Sequence, residues 1–157
     1  MTTDVPAQPI VKDVMESELD HLFSEMAMNA PYPAADVEEI VSDFIAVVGP
    51  IPHLDYLDLM RRHAGCAGAL GSGFYIVLWP LDEVVSGAEE AQVEEFAPGL
   101  LVFGGDGGNE AFAFDRQDPR WPIVCVPLVG MSRNAMKFVA TTFTEFIRRL
   151  ATDGLPI

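Results

Sequence analysis

The sequence predicts one α+β domain: a largely antiparallel sheet packed with N-terminal helices and closed by a C-terminal helix. Three observations predict it. Apolar residues repeat at helical spacing from Val37 to Val48, aromatic and β-branched runs punctuated by glycine and proline take over from Phe74 to Pro127, and helical spacing returns after Thr142. At 157 residues, 50% of them hydrophobic and including ten phenylalanines and two tryptophans, the chain has enough apolar surface to offset the entropy of ordering one domain.

Over 12–29, Val14, Leu19, Leu22, Phe23 and Met26 fall largely on one helical face, and NAPYP ends the run. Residues 1–30 are therefore expected to form a helical extension, and 31–157 the α+β domain. Asp36 followed by Glu39 makes a capping-box-like start for a helix whose apolar face holds Val37, Ile40, Val41, Phe44, Ile45 and Val48, with Gly49 and Pro50 as its stop. A shorter helix over 53–64 places Leu54, Leu57 and Met60 on one side, and the glycines of AGCAGALGSG are read as breaking it. FYIVLW reads as a buried strand closed by Pro80, and the acidic stretch from Leu81 to Phe96 as a loop with one exposed helical turn.

GLLVF (99–103) and EAFAFD (110–115) are strands flanking GGDGGN, where a tight connection needs glycine for positive φ. PIVCVPLV is a further strand interrupted by Pro127. MKFVA leads to a last helix in which Thr142 and Glu145 form a capping box, Phe143, Phe146, Ile147 and Leu150 the buried face, and Arg148 and Arg149 the basic C-terminal end.

The formal charge is −15, and its distribution narrows the partners. Between Arg62 and Arg116 there is no lysine or arginine, while Asp82, Glu83, Glu89, Glu90, Glu94, Glu95, Asp106, Glu110 and Asp115 all fall in that interval. Such a field repels nucleic acid and anionic membrane and draws in a cationic partner. The opening residues lack a basic start and an apolar signal run, and no stretch approaches the roughly 20 apolar residues of a membrane helix, so a cytoplasmic protein is expected.

Tests for chemistry return little. A phosphate loop at FGGDGGNEAF would need a lysine or a following helix, and a calcium loop would need more oxygen ligands than Asp106, Asn109 and Glu110. LGSGF and VGMSRN each depart from GxSxG by one glycine. His21, His53 and His63 have no metal-ligand spacing and are read as surface or locally hydrogen-bonded histidines, and Cys66 and Cys125, in GCAG and IVCVP, as packed thiols. No catalytic residue, metal ligand or cofactor is expected. The glycine loop turns the chain, and Asp106 bonds its backbone.

Taken in order, Ile51-Pro52, a helix with Tyr56, Leu59 and Met60, RHAGCAG, IVLWPLDEV, GGDGGNEAFAFD, IVCVPL and TTFTEFIRRL resemble the SUKH superfamily. That superfamily takes in a yeast cell-wall assembly regulator tied to killer toxin resistance and many bacterial immunity proteins. The resemblance covers about residues 36–150. Its best matches are Trp79, Pro80, Gly104, Asp106, Gly107, Gly108, Asp115, Phe143 and Phe146, all read as folding residues, the hairpin set being Gly104, Asp106, Gly107, Gly108 and Asp115. Where the family commonly has Asn-Gly, this chain has Ala64-Gly65, so that asparagine has no counterpart.

The resemblance implies a non-enzymatic protein-binding domain without cofactor. The expected function is an immunity protein neutralising a basic toxin, for instance a nuclease, through an acidic surface of Asp82, Glu83, Glu89, Glu90, Glu94 and Glu95. The alternative is a regulatory or scaffold domain that binds a cellular partner such as an envelope-assembly component.

Overall fold

The computed structural model describes residues 21–23, 27–70, 74–89 and 91–153. Among them, seven strands form one sheet: β1 (Ala27–Met28), β2 (Cys66–Leu70), β3 (Phe74–Leu78), β4 (Leu100–Gly105), β5 (Glu110–Asp115), β6 (Ile123–Pro127) and β7 (Lys137–Ala140). Spatial order equals chain order and every neighbouring pair is antiparallel. Helices α1 (Val37–Val48) and α2 (Leu54–Arg62) lie between β1 and β2, α3 (Leu81–Ala88) and α4 (Ala91–Phe96) between β3 and β4, and α5 (Phe143–Thr152) follows β7. This is the expected α+β domain with a C-terminal helix.

Strand alternation gives the sheet two unequal faces. Leu101, Phe103, Phe112, Phe114, Ile123 and Cys125 join the main core with Phe44, Tyr56, Phe143 and Phe146. At its centre the Tyr56 ring meets Phe103, Phe114 and Phe143 edge-on, with centroids 5.6, 5.2 and 5.2 Å away. The intervening residues Leu100, Val102, Ala111, Ala113, Val124 and Val126 form a smaller cluster on the other face. One face thus carries aromatic rings where the other carries mostly short side chains.

Four local readings need correction. Ala27–Met28, read as part of a helix, is a strand paired to Cys66–Ala67; of that expected helix, residues 12–20 and 24–26 lie outside the described residues. The small residues CAGAL form β2 where a glycine-rich break was expected, because pairing along the whole of β3 with Cys66 and Leu70 buried outweighs poor strand propensity. Asp36 makes no side-chain cap, its backbone being already helical at φ −106° and ψ −14°.

The fourth correction is the largest. The acidic segment 81–96 is two helices, α3 and α4, and not a loop. Leu81 and Val84 are buried, and Val85 and Ala88 pack against the same core, an i, i+3, i+4, i+7 stripe that outweighs the surrounding charge. Pro80 stands at the N-cap position without a side-chain cap, and Asp82 and Glu83 occupy the first turn, where the helix dipole favours them. By contrast α5 starts as expected: Thr142 Oγ1 accepts from Glu145 N at 3.2 Å, and Glu145 Oε1 accepts from Thr141 N at 2.9 Å.

Candidate functional site

The acidic residues are carried on α3, packed on the main core by its apolar stripe, and on α4, whose Val93 packs against the smaller cluster. Asp82, Glu83, Glu89, Glu94 and Glu95 are all exposed, and Glu90 lies outside the described residues. Asp82 also has a packing duty. The Tyr32 hydroxyl accepts from Leu81 N at 2.6 Å and donates to Asp82 Oδ1 at 3.3 Å, fastening the first turn of α3 to the segment before α1. Burial pushes the Tyr32 phenol up to about 12; the Leu81 amide opposes that shift and the Asp82 carboxylate adds to it.

Glu83 and Glu94 border one apolar groove of about 350 Å³, whose walls include Trp79, Val93, Leu128 and Met131. The sequence reading missed these apolar neighbours, since they come from three separated segments. The strand read over PIVCVPLV ends at Pro127, which leaves Leu128 beyond it to line the groove.

The segment after β6 is tied down by a charge pair. Arg133 donates to both oxygens of Asp115, at 2.9 and 2.8 Å, and to the carbonyl of Pro98 at 3.0 Å, while Asp115 Oδ1 also accepts from Gln117 N at 3.1 Å. Asp115 is buried and pairs with Leu100 at the open end of the β4–β5 hairpin, away from the glycines. At the tip Asp106 Oδ1 accepts from Gly108 N at 2.8 Å and Glu110 N at 3.1 Å, with Gly107 at φ +80°. Gly104 allows close approach of β3, because a Cβ there would stand 2.2 Å from the Val77 carbonyl oxygen.

The histidines do not converge. His53 departs from the expectation of a surface or locally bonded residue: it is buried, stacked on Phe114 at 4.9 Å, with Nε2 2.7 Å from the Trp121 carbonyl. Trp121 itself sits at φ +52°, an uncommon conformation for a bulky residue, stabilised by its buried ring and by that contact. His63 Nδ1 lies 3.3 Å from the Asn29 carbonyl, and His21 is exposed. Asp55, near His53 in sequence, bonds the Thr144 amide and hydroxyl at 2.9 and 2.6 Å, so it serves the start of α5.

Among the described residues no group of three or more His, Cys, Asp and Glu side chains is placed to hold a metal ion. Cys66 and Cys125 are buried free thiols, pushed by burial up to about 12 and about 11. Among the described residues no helix is long and apolar enough to cross a membrane.

With this arrangement in view, comparison with known families is decisive. The profile of the SMI1 / KNR4 family (SUKH-1) matches residues 53–149, more than half of the chain. The chain belongs to this family. The SUKH-1 match runs from the buried His53 through α3, α4 and the hairpin to the last turns of α5, so both the acidic helices and the Asp115–Arg133 pair lie inside it. Membership fits a protein-interaction role, of an immunity-protein or cell-wall-regulator kind. No curated protein matches the chain at a significant level.

Proposed function

We propose that this SUKH-1 chain is a non-enzymatic, cytoplasmic immunity protein that neutralises a basic toxin by docking it on α3 and α4. The observation that carries the reading is the exposure of Asp82, Glu83, Glu89, Glu94 and Glu95 on two adjoining helices, in a span of sequence without lysine or arginine. A surface of one sign speeds encounter with an oppositely charged partner and makes association strongly dependent on salt. Three ionisable groups have structural work: His53 meets the Trp121 carbonyl, Asp55 the start of α5 and Asp106 the hairpin.

Co-expression with toxins encoded beside the gene tests the reading. The wild-type chain restores growth against one of them, and Glu89→Lys combined with Glu95→Lys reduces the rescue. If no neighbouring toxin is neutralised and a constant cellular partner is captured from unstressed cells, the regulatory or scaffold role that also fits a SMI1 / KNR4 member replaces it.

A further inference from the structure

The groove beside Glu83 and Glu94 continues in two directions. One adjoining depression includes Phe96, and another runs past Trp79 to the hairpin at Glu110; Leu128 lines all three. They lie on the lesser face of the sheet, where β5 presents Ala111 and Ala113 opposite its phenylalanines and β4 ends in Gly104 and Gly105. Short side chains leave the trough unfilled. Of its lining residues, Leu128 is 49% exposed and Phe96 56%, two large apolar side chains open to solvent along one trough.

Charge selects the occupant. Glu83 and Glu94 stand along the trough, and its described lining residues include no lysine, arginine or histidine. Arg133, close by in sequence, is committed to Asp115 and Pro98. The chain's own residues 1–20 hold five acids against one lysine, and a second copy brings a charge of −15, so neither complements the rim.

We propose that this trough is the docking site for a protein segment that carries lysine or arginine directly beside an aliphatic or aromatic side chain. The apolar anchor enters between Trp79, Leu128 and Met131, and the cations meet Glu83 and Glu94. The inference rests on the toxin-binding reading and adds to it the segment by which the partner is held.

The probe is a library of random dodecapeptides displayed on phage, selected on the full chain, with the enriched peptide then measured by fluorescence anisotropy. Enriched peptides are expected to place Lys or Arg within two positions of Leu, Ile, Phe or Trp. Leu128→Lys and Phe96→Lys, both at half-exposed positions that leave folding intact, each weaken the peptide about tenfold or more. Enrichment of acidic or neutral peptides, no enrichment over bare support, or unchanged affinity in both variants overturns the groove assignment. Growth rescue separates the two claims: rescue that survives Leu128→Lys but not Glu89→Lys with Glu95→Lys removes the groove and keeps the acidic face, and rescue by neither wild type nor variant removes the toxin reading itself.

Discussion

Replacing Asp115 with alanine should unfold the molecule from the open end of the hairpin. The carboxylate is buried and accepts two guanidinium bonds at 2.8–2.9 Å plus the Gln117 amide, and its loss leaves Arg133, whose side chain is 25% exposed, without a counter-charge. Removing one partner of a buried pair costs about 3–5 kcal/mol. Partial solvent access at Arg133 lowers that to about 2–4 kcal/mol, since water takes over some of the bonds. For a domain of this size, that lowers Tm by roughly 4–16 °C.

Urea denaturation of Asp115→Ala, Arg133→Met and the double variant measures the coupling. The double variant should be less damaged than the sum of the singles by about 1–3 kcal/mol. Because Arg133 also holds Pro98, at the end of α4, and follows Leu128 and Met131, the same variants should weaken binding in the groove. A loss below about 0.5 kcal/mol for Asp115→Ala, the range of an ordinary surface change, would refute the argument.

Alkaline pH should weaken the fold through its buried thiols and phenols, Tyr56 included, whose value burial raises furthest. Folded-state values for Cys66, Cys125 and Tyr32 lie at about 12, 11 and 12, above ordinary values of 9.0, 9.0 and 10.0, so their contribution is complete below pH 9 and is lost as pH rises from 9 to 12; urea midpoints measured across that window should fall. Both thiols should resist Ellman's reagent at pH 8 in the native state and react fully in denaturant; rapid native labelling would contradict their burial. Thr142→Ala removes the cap of α5 and should cost about 1 kcal/mol by chemical denaturation. Asp106→Ala, which strips an acceptor from two backbone amides, should cost about 1–2 kcal/mol, and millimolar calcium should leave the wild-type Tm unchanged.

The elements with strong periodicity were legible in the sequence: α1, α2, the phenylalanine-alternating β5 and the capped α5. Two kinds of element were not. β2 is built from Cys66, Ala67, Gly68, Ala69 and Leu70, whose propensities say turn, and only pairing between strands on both sides makes it extended. The two acidic helices were hidden for the opposite reason: acidic residues crowd 81–96, while in α3 a four-residue apolar stripe decides the conformation.

At the candidate site, the charges were visible and their setting was not. Glu83 and Glu94 are eleven positions apart, and their shared groove is completed by Trp79, Leu128 and Met131, which are brought together by sheet topology that no local pattern encodes. His53 shows the same limit. The sequence reads it as a surface or locally hydrogen-bonded histidine, whereas the ring is enclosed by Phe114 and the distant Trp121.

The central claim is that the α3–α4 face captures a cationic protein by charge. Its most direct test is the association rate with the neutralised toxin, measured by stopped flow between 20 and 300 mM salt, roughly a threefold change in screening length or more. The account predicts a steep fall in rate with salt for the wild-type chain, and a slower, nearly flat response for the Glu89→Lys, Glu95→Lys variant. Equal salt slopes for the two proteins would contradict it.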